Sequence, residues 1–323
     1  MSAALRSILV TGCGGDIALG VGRVLRQLGV ARRLAGCDAK SDHPGATVFD
    51  SCALAPRADA PDYAQRLEAL ARRCKAELIV PMTEPELGAL LKAGALERLG
   101  KIPVLAANAL AVKTGLDKLA TARFLKSRGL AHPWTRVVGD GPPLRLPCII
   151  KRRSGSGGRD LLRVADKATA VALARKRPDD IWQEALPCDE EEHTVGVFRG
   201  ASGETRSLSL RRGAQIGATE RAEVRHAPAI ARYARDIAEG LELRGAINVQ
   251  LRVTPSGPVA FEINARFSST APFRHALGFK DVLWAFEDRL GRKLSIYRPP
   301  KQGTMVYRTY GEAVFPPRRG DGH

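Results

Sequence analysis

Aromatic residues are scarce in this sequence, at 5% of 323 residues, and long apolar stretches are missing altogether. No run of Lys and Arg is interleaved with aromatic side chains, so the sequence lacks the stacking platforms that bind single-stranded nucleic acid. No 18 apolar residues follow one another, and the apolar run before the first Gly-rich turn is too short for a signal sequence. We therefore expect a soluble, cytoplasmic protein whose main partner is neither nucleic acid nor a membrane.

Several catalytic and metal-binding patterns are missing as well. No G-x-S-x-G elbow occurs, so serine-hydrolase chemistry has no support, and the G-x-x-x-x-G-K-[ST] order of a P-loop is absent. The six cysteines are dispersed without a C-x-x-C pair, and the six histidines show no H-x-x-x-H or Cys/His spacing. This spacing predicts reduced thiols that act as small hydrophobic residues, and no zinc site.

Positive charge is what the sequence has in excess. Lys and Arg number 51 against 34 Asp and Glu, which gives a formal net charge of +17. Such a balance favours anionic ligands, and the lack of aromatic stacking residues favours small molecules over nucleic acid. The length allows a sizeable core distributed over two or three lobes.

The first third of the chain alternates short apolar runs with helical patterns. This rhythm is typical of a parallel sheet covered by helices. We predict an α/β, Rossmann-like domain over residues 1–110. Its strands are predicted at residues 7–11, 34–38, 78–81 and 104–106, and its helices at 17–28, 63–73 and 86–99.

The rest of the chain is richer in strands and predicts an α+β arrangement of two lobes. It begins with an amphipathic helix over 117–128 that Gly129 closes. We predict a small lobe at residues 111–186 and a large lobe at 187–300, and we expect the end of the tail 301–323 to be disordered. Strands are predicted at 148–151, 161–164, 181–185, 194–198 and 207–212, and later helices at 168–175, 230–241 and 281–290.

A pair of strands around Ser256 carries the sharpest chemical signal. Apolar and polar residues alternate in both strands, so each strand has one buried face and one polar face. Residues 254–258 are typical of a turn and predict a hairpin. The predicted cross-strand pairs are Gln250 with Glu262 and Asn248 with Asn264, and the predicted apolar face holds Ile247, Val249, Leu251, Val253, Phe261 and Ile263.

The polar face of this hairpin offers oxygen ligands to a divalent cation. Mg²⁺ prefers oxygen donors and usually takes one or two protein carboxylates. Glu262, Asn264 and Gln250 supply such a set, for Mg²⁺ or for Mn²⁺. Arg266 continues the polar face and could reach a γ-phosphate. The alternative is a solvated strand face with incidental amides.

A second element is a buried strand that ends in Lys151 and precedes a Gly-rich loop. Glycines let backbone N–H groups approach phosphate oxygens, and a lysine before such a loop suits a triphosphate. A Gly-rich hairpin without function is the alternative. The loop residues concerned are Ser154, Gly155, Ser156, Gly157 and Gly158.

A third element is a strand that runs into a bend at 182–187, followed by four acidic residues at 189–192. An acidic run is usually a solvated loop. The functional interpretation is a hinge whose backbone binds adenine, followed by a carboxylate that accepts hydrogen bonds from ribose hydroxyls.

The order of these elements resembles the ATP-grasp superfamily, and within it the halves of the carbamoyl-phosphate synthetase large subunit and related amino-acid ligases. The resemblance covers about residues 5–290. It implies a Rossmann-like domain followed by an ATP-grasp domain of two lobes, with ATP and Mg²⁺ as ligands. The motifs are Lys118 on a helix, the P-x-I-I-K strand with its Ser/Gly lid, a Q-E-x-L-P hinge, an E-x-T-V strand and an N-V-Q…E-I-N-x-R hairpin.

The resemblance implies a role for each of these residues. Lys118 and Lys151 would contact the ATP phosphates, and the glycines 155–158 would form a mobile lid. Glu192 would bind ribose, with Glu191 as its rival. The remaining implied roles are adenine binding for Glu184, Ala185 and Leu186, metal binding for Gln250, Glu262 and Asn264, and contact with the transferred phosphate for the catalytic residues Arg266 and Lys151.

The activity implied is the ATP-dependent joining of a carboxylate to an amine or thiol through an acyl phosphate, with release of ADP and phosphate. One ATP-binding unit instead of two does not favour complete carbamoyl-phosphate synthesis, but phosphorylation of carbonate or carbamate remains an alternative. A Gly-rich turn at 12–17 leaves a nicotinamide-dependent oxidoreductase open, and charge alone leaves a nucleic-acid-binding protein. A homodimer also stays open.

Two groups of residues are candidates for binding the other substrates, which we expect to be anionic. Thr83 or Glu84 could hold an amine at the end of a strand, or they could simply begin a helix as its cap and first-turn acid. An arginine could bind a substrate carboxylate. The alternative is an ordinary surface arginine, which is the default expectation in a chain so rich in this residue. The arginines concerned are Arg212, Arg225 and Arg274.

Overall fold

The structure is a computed structural model that describes residues 4–155, 160–187, 191–213, 215–216, 218–309 and 311. The loop residues Ser156, Gly157 and Gly158 and the end of the tail, for which lid and disorder are predicted, lie outside the described residues.

The N-terminal part of the chain alternates strands and helices, as its pattern predicts. Its elements are β1 (Leu5–Thr11), α1 (Asp16–Leu28), β2 (Ala31–Asp38), a 3₁₀ turn (Pro44–Thr47), β3 (Ser51–Leu54), α2 (Tyr63–Arg73), β4 (Leu78–Val80), α3 (Glu84–Lys92), β5 (Arg98–Leu99) and β6 (Ile102–Pro103). Four of the strands form a parallel sheet in the order β3-β2-β1-β4. Helices cover this sheet, so β1 and β4 are apolar along most of their length.

Two local predictions in this part are wrong. The helix predicted over 86–99 ends at Lys92, because Gly94 adopts a left-handed conformation with φ of 64° and turns the chain. Instead of the strand predicted at 104–106, Val104 forms a single bridge with Ile79. The edge strand β3 was not predicted, since its four residues are too few to show a pattern.

The middle of the chain forms a second, antiparallel sheet. Its elements are α4 (Ala109–Gly115), α5 (Lys118–Ser127), β7 (Thr135–Val137), β8 (Cys148–Lys151), β9 (Leu162–Val164), α6 (Lys167–Lys176) and β10 (Ile181–Glu184). The strands are ordered β7-β10-β8-β9. We call this sheet with α6 the small lobe.

The remaining elements form the large lobe around a six-stranded antiparallel sheet in the order β17-β16-β11-β12-β15-β18. They are β11 (Glu192–Arg199), β12 (Thr205–Arg212), β13 (Gln215–Ile216), β14 (Ala218–Thr219), β15 (Arg221–Val224), α7 (Pro228–Gly240), β16 (Gly245–Thr254), β17 (Gly257–Asn264), α8 (Ala271–Ala276), α9 (Asp281–Arg289) and β18 (Met305–Tyr307). A parallel α/β domain followed by antiparallel α+β lobes is the predicted fold class, which is confirmed.

The apolar cores are distributed unequally over these parts. Two large clusters each combine residues of the N-terminal sheet with residues of the large lobe, for example Ile79 with Ile247 and Val10 with Trp284. A third cluster lies within the small lobe around Trp182. None of the helices in the described part of the chain is both long and apolar enough to span a bilayer.

Candidate active site

The hairpin of β16 and β17 brings the predicted polar side chains together. Asn248 pairs with Asn264, and Gln250 pairs with Glu262, which are the predicted cross-strand pairs. Gln250, Glu262 and Asn264 all line one cleft between the two lobes. The alternation of polar and apolar residues therefore predicted the correct face and the correct register.

A β-bulge is needed to produce this register, and it moves one residue to the other face. The turn pairs Thr254 with Gly257, a register that would set Gln250 opposite Phe261. One extra residue in β17 shifts the pairing, and Phe261 is that residue. Phe261 consequently lines the cleft, whereas Ile263 is buried in the core, so the prediction that both share the apolar face is wrong for Phe261.

Lys151 ends strand β8 and faces the hairpin from the small lobe. It is 8% exposed, and its ammonium group lies 5.8 Å from the ring centroid of Phe261. Burial lowers the pKa of Lys151 from 10.5 to about 8; the carboxylate of Glu262 opposes this shift and Lys118 adds to it. An anionic ligand would stabilise the charged form that burial disfavours, so the site suits a phosphate group.

Lys118 is the first residue of α5 and connects the hairpin to the base of the Gly-rich loop. Its Nζ lies 3.9 Å from Oε1 of Glu262 and donates a hydrogen bond to the carbonyl oxygen of Gly155. The structure therefore brings the two predicted phosphate-binding lysines to the same cleft as the predicted metal ligands.

Asp117 holds the start of the Gly-rich loop. It caps α5 by accepting a hydrogen bond from the backbone N–H of Leu119 at 2.9 Å. Its two carboxylate oxygens also accept from the guanidinium group of Arg153 at 3.0, 3.0 and 2.7 Å. Ser154 and Gly155 follow directly and line the cleft.

The predicted adenine hinge lies at the end of β10. Glu184 and Leu186 line the cleft, whereas Ala185 between them does not. The carboxylate of Glu184 accepts a hydrogen bond from the backbone N–H of Trp134 at 3.2 Å. Arg252 of β16 donates to the carbonyl oxygen of Leu186 at 3.3 Å, so the hinge is fastened to the large lobe.

Of the two acidic residues proposed for ribose, the structure brings Glu192 to the cleft. Its carboxylate accepts hydrogen bonds from Arg212 at 2.6 Å and from Arg252 at 3.1 Å. Glu191 does not line this cleft; it pairs with Arg211 at 2.9 Å. Glu192 is thus already held by two cations, which fix the direction of its oxygens.

Arg266 joins the hairpin to the N-terminal domain. Its Nη2 donates to Glu84 Oε1 at 3.0 Å and to Asn264 Oδ1 at 3.2 Å. Thr83 caps α3 in a reciprocal arrangement with Glu86, which is the simpler of the two interpretations that its sequence position allowed. Glu84 instead meets the arginine across the domain boundary.

The three arginines considered for a substrate carboxylate have different positions. Arg212 lines the cleft, whereas Arg225 pairs with acidic residues outside the cleft lining. Arg274 is 1% exposed and donates twice to the carboxylate of Asp281, at 2.9 and 2.6 Å. It also donates to Asn248 at 3.3 Å from behind the hairpin, so both expectations for Arg274, a substrate contact and a surface residue, are wrong.

The cleft has a volume of about 1060 Å³ and contains most of the predicted site. It also contains residues that sequence reasoning missed. Arg252 shares the alternation of Asn248 and Gln250 in β16 and could have been found from it. No sequence signal connects the others, which come from distant segments. Among them are Asp16 and Ile17 at the start of α1, Thr194, Thr219, and the run Ser268, Ser269 and Thr270.

The donor set of the cleft fits a magnesium nucleotide. Glu262, Asn264 and Gln250 offer the hard oxygen atoms that Mg²⁺ prefers. Lys118 and Lys151 offer positive charge beside them, at a site shielded from water. Charge of this kind in a shielded cleft binds polyphosphate and stabilises charge that moves during phosphoryl transfer.

Comparisons with known proteins agree with this geometry. A family model described as "ATP-grasp in the biosynthetic pathway with Ter operon" matches residues 176–311, which include the hairpin. No curated protein matches the sequence.

Several solved structures share the fold over most of this chain. N5-carboxyaminoimidazole ribonucleotide synthetase from Thermus thermophilus is 17% identical, with a TM-score of 0.72 over 91% of this chain and 81% of that chain. L-amino acid ligase from Bacillus licheniformis is 16% identical, with a TM-score of 0.71 over 92% and 78%. Biotin carboxylase from Campylobacter jejuni is 16% identical, with a TM-score of 0.70 over 93% and 74%.

The family match, the fold and the order of the motifs along the chain point the same way. The predicted resemblance to the ATP-grasp superfamily is confirmed, since an ATP-grasp family model matches residues 176–311 and the solved structures share the fold of the chain.

Proposed function

We propose that the enzyme is an ATP-dependent ligase that joins a carboxylate to an amine through an acyl phosphate. A carboxylate oxygen of the first substrate attacks the γ-phosphorus, and ADP leaves. The amine then attacks the acyl carbon, phosphate leaves, and the amine nitrogen loses a proton. The observation that supports this proposal best is the contact of Glu262 on the large lobe with Lys118, beside Lys151 of the small lobe.

In this proposal the hairpin holds the metal and the lysines hold the phosphates. Gln250, Glu262 and Asn264 would bind Mg²⁺, which lowers the charge repulsion between triphosphate and carboxylate when bound. Lys118 and Lys151 provide positive charge beside these ligands, since Nζ of Lys118 lies 3.9 Å from Oε1 of Glu262. The chain's contribution is mostly positioning and preorganised charge.

The hinge and Glu192 would hold the nucleoside. Glu184 and Leu186 present their backbone at the end of β10, and Glu192 accepts hydrogen bonds. Because Arg212 and Arg252 already orient this carboxylate, it can accept from ribose hydroxyls without reorganising.

The substrate carboxylate would enter beside Arg266. Arg266 continues the hairpin toward the N-terminal domain, and Asp16 and residues 268–270 line the cleft with it. Glu84 pairs with Arg266 and orients it, so Arg266 can stabilise the transferred phosphoryl group. The Gly-rich loop, whose base is held by Asp117, would cover the cleft and exclude water from the acyl phosphate.

A nicotinamide cofactor fits the N-terminal domain poorly. In a dinucleotide site the glycines leave room for the pyrophosphate and an acidic residue binds ribose. Here a Cβ atom at Gly14 would lie 2.5 Å from Cβ of His43, which occupies that room. Asp38 is engaged as well, since it accepts a hydrogen bond from the N–H of Gly14 at 3.0 Å.

The family description refers to a biosynthetic pathway, and we propose that this enzyme too acts in a biosynthesis. Screening pairs of acids and amines for ADP release in the presence of Mg²⁺ would identify the substrates. ADP release that needs both substrates supports the ligase. ADP release with bicarbonate alone would instead indicate phosphorylation of carbonate.

Glu262→Gln tests the metal assignment. Removing one negative charge from the metal ligands is expected to lower kcat/KM by about 100- to 1000-fold. The melting temperature should stay close to that of the wild type, because the Glu262 side chain is partly exposed. Glu239→Gln, on the exposed face of α7, is the matched control.

An unchanged rate in Glu262→Gln would remove the metal assignment. Tight binding of NAD without any binding of ATP, measured by calorimetry on the wild type, would overturn the ligase proposal itself.

A further inference from the structure

Three metal-ligating side chains from separate segments meet at one end of the N-terminal sheet. Cys13 lies in the Gly-rich turn after β1, His43 precedes the 3₁₀ turn, and Cys52 lies on β3. One ligand atom from each lies within 4.8 Å of the other two, and Cys13 Sγ is 3.8 Å from His43 Nε2. These three residues have no zinc-site spacing in the sequence, so the cluster could not be predicted from it.

Backbone approaches the cluster so closely that glycine is required at several positions. A Cβ at Gly36 would lie 2.9 Å from Sγ of Cys13, and one at Gly45 would lie 3.0 Å from Sγ of Cys52. The Gly14 contact with His43 described above is closer still. The backbone therefore packs closely against the cluster on one side, while Cys52 faces solvent on the other.

The distances fit a tetrahedral ion of the zinc class. Bonds of about 2.3 Å to sulfur and about 2.0 Å to nitrogen put two sulfurs about 3.8 Å apart and sulfur and nitrogen about 3.5 Å apart. The distance of 3.8 Å between Cys13 Sγ and His43 Nε2 is close to this value. Two thiolates and an imidazole are also the donors that such an ion prefers over Mg²⁺.

We propose that Cys13, His43 and Cys52 bind one Zn²⁺ ion, with water as the fourth ligand. Cys52 is exposed, which gives the ion a path from solvent. Asp38 stands close by and fixes the turn that carries Cys13, since its carboxylate accepts from the N–H groups of Gly14 and Lys40.

Binding requires a rearrangement of protons. Nδ1 of His43 accepts a hydrogen bond from the N–H of Gly45 at 3.1 Å, so the ring proton lies on Nε2 in the metal-free form. When Nε2 binds the ion, this proton moves to Nδ1 and the bond from Gly45 is given up. Both thiols also lose their protons, so zinc affinity rises with pH.

The site is separate from the magnesium site in both place and chemistry. Its ligands belong to the N-terminal domain, whereas Gln250, Glu262 and Asn264 belong to the large lobe. The ion would tie the turn after β1 to β3 and to the segment between β2 and β3. Its binding should therefore stabilise this domain.

Cobalt titration of the full-length, reduced and metal-free protein tests the proposal. Co²⁺ should give a thiolate charge-transfer absorbance in the near ultraviolet that saturates at one ion per chain. Zn²⁺ should abolish the band and raise the melting temperature, whereas excess Mg²⁺ should do neither. Cys52→Ser, at an exposed position, and Cys13→Ser should lose the band. Cys74→Ser, a partly buried thiol after α2, is the matched control and should keep it.

A wild-type protein without the band, or a band that survives in Cys52→Ser, overturns the proposal. A disulfide between Cys13 and Cys52 that forms with a mild oxidant, in protein that binds no Co²⁺ when reduced, would also overturn it and make the pair a redox pair. None of these readouts depends on ATP, so they are independent of the ligase test.

Discussion

The two lobes that face the cleft are built in different ways. The small lobe has a core of its own around Trp182, with Cys148, Ile150 and Val164 from neighbouring strands. The large lobe has no such separate core, because its buried residues pack together with those of the N-terminal domain. Lys151, which we propose binds phosphate, therefore lies on a small independent unit, and the proposed metal ligands lie on a large composite one.

This difference in core packing indicates which part of the molecule can change its orientation as a unit. A unit with its own core can change its orientation without breaking the packing of its neighbour. Polar contacts connect the small lobe to its surroundings: Arg153 and Gly155 with Asp117 and Lys118 of α5, and Leu186 with Arg252 of the large lobe. The small lobe is therefore the part of the molecule whose displacement would disturb the least apolar packing.

Trp182→Ala would show most directly whether the small lobe is a separate unit. Trp182 is fully buried and donates a hydrogen bond to the carbonyl oxygen of Gly141 at 3.1 Å. Its loss should cost about 3–5 kcal/mol, all of it in the small lobe. Hydrogen exchange followed by mass spectrometry should show the small-lobe strands opening early, with the other two parts protected as in the wild type.

Arg274→Leu should destabilise the other unit, which consists of the N-terminal domain and the large lobe. It leaves Asp281, which is 0% exposed, without its partner, and this should also cost about 3–5 kcal/mol. Thermal unfolding should then begin in the N-terminal domain and the large lobe together. If both variants lower a single common transition by the same amount, the lobes are one cooperative unit and the comparison fails.

The pH dependence of ATP binding tests whether Lys151 of the small lobe contacts the nucleotide through its positive charge. Because burial lowers the pKa of Lys151 to about 8, the free enzyme loses this charge as pH rises through that value. The Kd for ATP should rise by up to about tenfold per pH unit above 8, as calorimetry would measure. In Lys151→Arg the charge persists, so the Kd should change little over the same range.

The same pKa shift predicts a change in stability without ligand. Between pH 8 and 10.5 the unfolded chain binds more protons at Lys151 than the folded chain. The free energy of unfolding should therefore rise with pH in this window, and this part of the rise should be missing in Lys151→Met. A fall in the wild type relative to Lys151→Met would contradict the burial of a charged lysine.

Asp117→Asn should have the smallest effect. Asparagine still caps α5, but the ion pair with Arg153 is lost. Arg153 is 42% exposed, so the loss should be about 0.5–1 kcal/mol, and the KM for ATP should rise about two- to fivefold as the loop base loosens. Asp166→Asn, at the exposed cap of α6, is the control and should leave the KM unchanged.

Low pH should also remove the stabilisation that the ion pair of Asp117 with Arg153 provides. Burial alone would raise the pKa of Asp117, but hydrogen bonds from Arg153 and from the N–H of Leu119 hold it below its usual value. The contribution of this pair is therefore present at neutral pH and is lost as pH falls through that lowered pKa. The difference between wild type and Asp117→Asn in urea unfolding should disappear there.

Much of the site could be predicted because its signals are local. Strand alternation gave the polar face of the hairpin, and the lysine followed by glycines marked the end of β8. The bulge at Phe261 could not be predicted, because the pairing set by the turn differs by one residue from the pairing further along the two strands. The burial of Arg274 was missed because its partner Asp281 lies on the next helix and an isolated arginine looks like a surface residue.

The sequence by itself determined the fold class, the order of the parts and the polar face of the hairpin. These follow from periodicity and spacing, which act over a few residues at a time. Only the tertiary structure decided which of Glu191 and Glu192 faces the cleft, that Glu84 meets Arg266, and that Cys13, His43 and Cys52 come together. Such contacts depend on how whole helices and strands pack against each other. Contacts between distant segments produce no periodic pattern in the sequence, so they cannot be predicted from it.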